Sequence, residues 1–246
     1  MFLYVNGCSM TYGYELVDDP VTHECRDHDY RLKNSWPGVL TQKLGFEGLH
    51  NDSVPGGSND RVLRVTLEWL LTHWIGPGKD PAGLFVVIGW SDAMRREFYV
   101  GGAYRHLIPH HDYPDRAVDE LNKAYRRHAW SEYESAKRFA TQILSLQAIL
   151  QLYRIPYVFF DAITPFGVAV ADARGEVNAH RAQIDEKRYF LLRQQDSLCT
   201  VLRREIPQWK LRHPDEAGHA RWAQQLADYI EREGLRHVQG LVAKAR

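Results

Sequence analysis

Short apolar runs recur along the chain and alternate with stretches whose apolar positions have a helical spacing. The runs at 2–6, 46–50, 84–89 and 157–161 are rich in β-branched or aromatic residues and are bounded by turn residues. Runs of this length and composition are typical of buried strands. The pattern therefore predicts four strands with helical segments between them.

Three segments have the spacing of helices that pack against such a sheet. The first begins at Ser58 or Asn59, either of which suits the N-cap position, and it is apolar on most sides. The second covers about 131–153, with an apolar stripe formed by Phe139, Ile143, Leu146 and Leu150. The third lies near the end, with a stripe formed by Ala223, Leu226, Ala227 and Ile230. Strands that alternate with helices predict an α/β fold with a mostly parallel sheet covered on both faces.

Two stretches interrupt this alternation and resemble insertions. Residues 14–35 are polar and irregular, and the residues at about 95–128 are rich in Arg, His and Tyr. Both leave the carboxyl end of a predicted strand, where ligands bind in open parallel sheets, so both are candidates for the rim of a site. Because no repeat, low-complexity tract or linker divides the sequence, we expect residues 1–246 to form one domain.

Charge and composition narrow the class of protein. Lys plus Arg and Asp plus Glu number 31 each, so net charge gives no reason to expect a nucleic acid or an anionic membrane as a partner. Three cysteines imply no disulfide framework, and no apolar run approaches the length needed to cross a bilayer. The first strand runs directly into a polar turn without the pattern of a secretory leader, so we expect a cytoplasmic protein. The oligomeric state is not predicted.

Four polar segments follow in order along this framework. "GCSMT" (7–11) follows the first strand, "NDSVPGGSND" (51–60) the second and "IGWSDAMRREF" (88–98) the third, while "HPDEAGH" (213–219) opens the last helix. This order and spacing resemble the SGNH, or GDSL-like, hydrolases, whose four blocks carry a Ser, a Gly, an Asn and a His. The resemblance implies a three-layer α/β/α fold with a flavodoxin-like sheet.

The resemblance also implies roles for particular residues. Ser9 matches the nucleophile, His213 matches the general base, and the N–H groups of Ser9 and Gly56 match two oxyanion donors. The chemistry explains these residue types, because a serine hydroxyl is a weak nucleophile until an imidazole takes its proton. The tetrahedral oxyanion then needs preorganised donors, each typically contributing roughly 3 to 4 kcal/mol.

Three positions depart from the family's pattern. Cys8 replaces the Asp of the first block, and Ser91 stands where the oxyanion Asn is expected, with Asn59 as an alternative donor. Lys210 occupies the position of the Asp that usually orients the imidazole. Three accounts stay open: a Ser–His dyad oriented by a backbone carbonyl, another carboxylate such as Asp161, or the loss of catalysis.

The resemblance predicts a serine hydrolase that removes an acetyl or other short acyl group from a small ester, such as an acylated carbohydrate or metabolite, without a cofactor. An acyltransferase and a non-catalytic ligand-binding protein are the alternatives. Arg95 and Arg96 in the third block could bind an anionic part of a substrate, although two solvated arginines fit the sequence equally well.

Two histidine-containing segments raise the question of a metal. "HECRDH" supplies His23, Cys25 and His28, and "HLIPHHD" supplies His106, His110, His111 and Asp112. Their side chains are of the type that binds zinc, but their spacings match no zinc motif with a structural basis. We therefore predict no metal site.

Overall fold

The computed structural model describes residues 1–19, 21–169, 171, 174–206 and 213–237. Its main sheet consists of the parallel strands β1 (Phe2–Asn6), β2 (Leu49–Asn51), β3 (Leu84–Trp90), β6 (Tyr157–Asp161) and β7 (Tyr189–Phe190). Their order across the sheet is β2-β1-β3-β6-β7, which is the flavodoxin-like order. Strand β2 lies on one side of β1 and the later strands lie on the other, so the topological switch point is between β1 and β3. The carboxyl ends of β1 and β3 therefore lie side by side, at the place where such sheets bind ligands.

The helices cover both faces of this sheet. They are α1 (Ser9–Tyr12), α2 (His28–Asn34), α3 (Trp36–Leu44), α4 (Asn59–Leu70), α5 (Arg116–His128), α6 (Glu132–Leu152), α7 (Phe166–Ala169), α8 (Arg174–Arg181), α9 (Leu198–Glu205) and α10 (Glu216–Arg232). A π-helical segment, Leu71–Ile75, continues α4.

Two apolar cores lie on opposite faces of the sheet, because successive strand residues point to opposite sides. Leu3 and Val5 of β1 pack with α3, α9 and α10 on one face. Tyr4 packs with α4 and α6 on the other face. The predicted three-layer α/β/α fold is therefore confirmed.

The predicted strands and helices are observed with small changes in their limits. The second strand begins at Leu49 rather than 46, because the N–H of Phe46 donates to the carbonyl of Thr41 and closes the end of α3. Helix α4 begins where the sequence placed it, since the Ser58 side chain accepts the N–H of Arg61. The predicted apolar stripes of α6 and α10 are buried.

Both predicted insertions contain regular structure. Residues 14–35 were expected to be irregular, but α2 lies within them because Asp27 caps its start and Arg31 anchors it to the carbonyl of Tyr12 at 2.7 Å. Within 95–128, an antiparallel hairpin of β4 (Arg96–Val100) and β5 (Ala103–Leu107) precedes α5. The bidentate ion pair between Arg64 of α4 and Glu97 of β4, at 2.8 and 2.9 Å, holds this hairpin against the domain.

Candidate active site

Ser9 is the first residue of α1 and lies at the turn that leaves the central strand β1. It is 6% exposed, so it is buried rather than on an open surface. Glycine is required two residues before it, because a Cβ on Gly7 would lie 2.4 Å from Thr11 Oγ1 and 2.8 Å from the carbonyl oxygen of Gly89. The turn is thus packed directly against the end of β3.

Two backbone N–H groups lie at the turns that follow β1 and β2. Gly56 has φ 73°, a left-handed conformation that glycine adopts without strain. Across the ranges that the structure describes, the N–H groups of Ser9 and Gly56 donate to no protein acceptor. By contrast, the N–H of Gly57 donates to the carbonyl of Val54 at 3.1 Å. The donors that the sequence placed in an oxyanion hole are therefore available for an external acceptor.

Asn59 and Ser91 are hydrogen-bonded to each other at the start of the loop after β3. The side-chain amide of Asn59 accepts the N–H of Ser91 at 2.7 Å and donates to its carbonyl at 3.1 Å. Both residues are buried, and the hydroxyl of Ser91 is enclosed without a hydrogen-bond partner in the described structure. In this geometry the two residues brace the loop after β3, and a role of either one as an oxyanion donor stays a prediction.

His213 lies against the segment that follows Ser9. Its ring packs edge-on against Tyr14 with the centroids 4.9 Å apart, and the N–H of Tyr14 donates to the carbonyl of Ser9. His213 Nδ1 lies 3.1 Å from Glu15 Oε2, at ion-pair distance though without the alignment of a full hydrogen bond. The side chain of His213 is 13% exposed and that of Glu15 is 34% exposed, so the contact is partly shielded from solvent.

Asp161, which the sequence offered as the orienting carboxylate, has other partners. Its Oδ1 accepts the hydroxyl of Tyr189 at 2.6 Å, and its Oδ2 accepts the N–H of Phe166 at 2.8 Å. Burial raises the pKa of Asp161 to about 7, and these hydrogen bonds oppose the rise. The structure therefore favours Glu15 over Asp161 as the carboxylate of His213. Lys210 lies outside the described residues.

Sequence reasoning missed Glu15. It stands at the start of a stretch that was treated as an insertion, and its only local sign is the sequence "YGYEL" directly after the serine helix. It adopts φ 71°, and its N–H donates to Asp18 Oδ2 at 2.6 Å. No spacing rule connects it with His213, since the contact is created by the packing of the chain.

His219, four residues before Ala223 in the last helix, is excluded as a second base. It is fully buried, and its Nδ1 accepts the N–H of Trp36 at 3.1 Å. Burial, with a smaller contribution from His213, lowers the pKa of His219 to about 3. Cys8 is likewise a buried core residue whose carbonyl accepts the N–H groups of α1.

The two arginines of the third block differ in their surroundings. Arg96 pairs with Glu134 at 3.1 Å and approaches Asp60 at 3.8 Å. Arg95 instead directs Nη1 to the carbonyl of Gly57 at 3.5 Å, beside the candidate oxyanion donors. Of the two, only Arg95 faces the site without a carboxylate partner among the residues described.

The histidine-rich segments form no ligand set in the described structure. No group of three or more His, Cys, Asp or Glu side chains in that part of the chain is arranged to hold a metal ion. His110 packs edge-on against Trp130, and His111 against Tyr113. Nor does any described helix have the length and apolar character needed to cross a membrane.

Comparisons with known proteins identify a family and a set of similar folds. The model of a family described as "Family of unknown function (DUF6071)" matches residues 14–240. No curated protein has significant sequence similarity to the chain.

Several solved structures match over nearly the whole chain. Esterase EstA from Pseudoalteromonas sp., inhibited by monoethylphosphonate, is 13% identical with a TM-score of 0.48, covering 94% of this chain and 97% of that one. TesA is 13% identical with a TM-score of 0.48, covering 95% and 99%. The acetyl xylan esterase AlAXEase is 10% identical with a TM-score of 0.46, covering 94% and 100%.

Proposed function

The chain belongs to the family of unknown function DUF6071, and we propose that it is a serine hydrolase of the SGNH type that cleaves a small ester through an acyl-enzyme on Ser9. The observation that carries this proposal is the position of His213, whose Nδ1 lies 3.1 Å from Glu15 in the segment that follows Ser9. This pairing supplies the carboxylate that the sequence lacks at position 210.

The first half of the reaction forms the acyl-enzyme. Ser9 Oγ attacks the acyl carbon while Nε2 of His213 accepts the hydroxyl proton, and the carbonyl oxygen becomes an oxyanion. The N–H groups of Ser9 and Gly56 stabilise this oxyanion, and Glu15 stabilises the imidazolium. The imidazolium then donates its proton to the departing alkoxide as the carbon–oxygen bond breaks, which releases the alcohol.

The second half regenerates the enzyme. A water molecule transfers a proton to Nε2 of His213 and attacks the acyl carbon, which forms a second oxyanion at the same two donors. Collapse of this intermediate expels Ser9 Oγ, which recovers the proton, and a carboxylic acid leaves. Each proton removed in one step is thus returned in the next.

Glu15 acts as a positioning residue in this scheme. With the Nδ1 proton directed towards Glu15, the lone pair of Nε2 is left to accept the proton of Ser9. Catalytic hydrogen bonds of this kind commonly shorten when substrate binds, so the off-axis approach of Glu15 is compatible with the role. The Glu15 side chain is 34% exposed, which makes the stabilisation smaller than that of a fully buried carboxylate.

The experiment that tests the proposal is a hydrolysis assay on the full chain. We expect the wild type to cleave para-nitrophenyl acetate or an acetylated sugar, and Ser9→Ala and His213→Ala to lower kcat by at least about a thousandfold. Matched controls are Ser145→Ala, in an exposed part of α6, and His73→Ala, in the exposed π-helical segment. Both should retain wild-type rates.

Two alternative functions predict different results in the same experiment. An acyltransferase would consume the ester faster when an acceptor alcohol is added and would give the new ester as product. A binding protein without catalysis would bind an ester and leave it intact, with Ser9→Ala binding equally well. Equal residual hydrolysis in the wild type and Ser9→Ala would contradict the proposed function.

A further inference from the structure

A cavity of about 390 Å³ is lined in part by Gly56, one of the two proposed oxyanion donors. Pro55 and Gly56 form one wall, and the hairpin and the loop before α5 form the other through Tyr104, His106 and Tyr113. Cavities of roughly 300–1,000 Å³ are the usual size for small ligands. Because Gly56 belongs both to this wall and to the proposed oxyanion site, a group in the cavity would be joined to the reacting carbonyl by a few bonds.

Arg95 supplies an uncompensated positive charge at this place. Its guanidinium contacts only the carbonyl of Gly57, at 3.5 Å, and no acidic side chain in the described ranges pairs with it. Arg96 shows the contrast, because its charge is balanced by Glu134 and Asp60. A half-buried guanidinium with open donor positions suits a planar or tetrahedral oxyanion.

The charge of Arg95 reaches the wall of the cavity. Burial lowers the pKa of His106, Glu97 opposes this change, and Arg61, Arg64 and Arg95 add to it. Burial also raises the pKa of Tyr113, and Arg95 counteracts that rise. Both residues line the cavity, and the guanidinium itself lies just outside that wall, at the carbonyl of Gly57 beside Gly56.

The acidic side chains nearby are already engaged. Both oxygens of Glu97 are bound by Arg64, at 2.8 and 2.9 Å. Asp115, which lines the cavity, accepts the N–H groups of Ala117 and Val118 through Oδ1 as the cap of α5. Neither carboxylate is directed at Arg95, which leaves the guanidinium to an anion from outside the protein.

We propose that this cavity is the subsite for an anionic group of the ester, a carboxylate or a phosphate, and that Arg95 recognises it. This inference rests on the proposed function and gives it a substrate class: a short-chain ester that bears a negative charge near the acyl bond. His106 and the tyrosines would contribute a neutral imidazole and aromatic faces to the same subsite.

The test compares kcat/KM for matched aryl acetates. Para-carboxyphenyl acetate and para-phosphonooxyphenyl acetate carry the charge on the alcohol, and para-nitrophenyl hydrogen succinate carries it on the acyl group. The methyl ester of para-carboxyphenyl acetate is the neutral control. We expect Arg95→Gln to lower kcat/KM for at least one charged ester by about 10- to 100-fold, and for the neutral ester by less than about twofold.

Further variants separate specific recognition of the anionic group by Arg95 from a nonspecific effect of the protein's positive charge. Arg95→Lys should recover part of the lost rate, because it restores the charge without the bidentate donor geometry. Arg116→Gln removes an equally charged but 91% exposed arginine of α5 and should leave all rates unchanged. The wild-type preference for the charged ester should shrink as salt is added. An equal loss for charged and neutral esters in Arg95→Gln, or no loss at all, would overturn the inference.

A binding measurement keeps this inference distinct from the proposed function. Calorimetric titration of Ser9→Ala with para-carboxyphenyl acetate and para-phosphonooxyphenyl acetate should show binding that is lost when Arg95→Gln is added. Absence of binding by both esters and by the succinate ester would overturn the subsite even if Ser9 proves to be a nucleophile. If Ser9 is unreactive, the hydrolase proposal fails, and the cavity is then no substrate subsite. Binding of a charged ester that depends on Arg95 would in that case identify the cavity as a ligand pocket.

Discussion

In the proposed mechanism, Glu15 takes the place of the carboxylate that the family pattern has three residues before the histidine, at position 210 of this chain. It reaches His213 Nδ1 at 3.1 Å from the loop after the serine helix, so nucleophile and orienting group are carried by one continuous segment, 9–15. This arrangement couples the position of the imidazole to the conformation of a loop rather than to the last helix. Mutations in that loop are therefore expected to affect the chemical step.

Glu15→Gln should lower kcat by roughly 10- to 100-fold and leave KM within about twofold, because the side chain orients the base without touching substrate. Glu15→Asp should recover part of the rate. The measurement is steady-state hydrolysis of para-nitrophenyl acetate, with thermal unfolding to verify that both variants are folded. Glu24→Gln, an exposed change in the same insertion, is the matched control. A wild-type kcat in Glu15→Gln would remove Glu15 from the mechanism.

Asp161 should make stability depend on pH. Burial raises its pKa in the folded protein to about 7 from an ordinary value of 3.8. Its contribution to stability is therefore complete below about pH 4 and is lost as the pH rises through 7. Asp161→Asn cannot ionise, so the free energy of unfolding of the wild type should fall relative to this variant by on the order of 2 kcal/mol between pH 5 and pH 8.

Urea unfolding of both proteins at each pH measures this difference. A constant offset is expected as well, because asparagine cannot accept both the Tyr189 and the Phe166 hydrogen bonds. Only the pH dependence of the difference in free energy of unfolding tests the raised pKa of Asp161. A difference that stays constant from pH 5 to pH 8 would show that Asp161 is ionised throughout.

At the scale of the elements, helix α4 and the loop after β3 are joined by the side chain of Asn59. Its two hydrogen bonds to the backbone of Ser91 are buried, so removing them leaves polar groups unsatisfied. Asn59→Ala should lower the free energy of unfolding by about 2–4 kcal/mol, measured by urea denaturation. Asn178→Ala, at an exposed position of α8, should cost much less. Equal costs would contradict the bracing role of Asn59.

The strands and helices that the sequence revealed are the ones with strong burial patterns. Strands β3 and β6 are buried along their whole length, and their apolar runs are unambiguous. Strand β7, by contrast, has two residues, and α2 is a polar helix held by Arg31 and its cap. Such elements are stabilised by tertiary contacts rather than by their own periodicity, so the sequence could not reveal them.

The residues of the candidate site also fall into two groups, those that the motifs predict and those whose partners the motifs do not reveal. Ser9, Gly56 and His213 stand at fixed places relative to strands and helices, so ordered motifs were enough to propose them. The partners of Asn59, Ser91 and Asp161 depend on side-chain contacts between distant segments.

At the scale of the whole molecule, the sheet separates two cores that must form together. Trp222 of α10 is fully buried and contacts Phe160 and Phe190 of the sheet, with ring centroids 5.1 and 5.4 Å apart. Trp222→Ala should lower the free energy of unfolding by roughly 3–5 kcal/mol in urea denaturation. Tyr99→Ala, whose side chain is on an exposed part of the hairpin, is the control. A loss below about 1 kcal/mol for Trp222→Ala would contradict this packing.

The turns and loops that carry the candidate site lie at the carboxyl edge of the sheet. The turns after β1 and β2, the loop after β3, the start of α10 and both insertions all meet there. The inserted segments carry Glu15, which contacts His213, and most of the cavity wall that faces Gly56. In the proposed function, the insertions would therefore determine the choice of substrate.

The most direct test of the central claim is the reaction of Ser9 with a fluorophosphonate, followed by intact-protein mass spectrometry. We expect a single adduct on the wild type, no adduct on Ser9→Ala, and labelling of His213→Ala that is slower by at least about a hundredfold. No adduct on the folded wild type after long exposure at several pH values, or an equal adduct on Ser9→Ala, would contradict it.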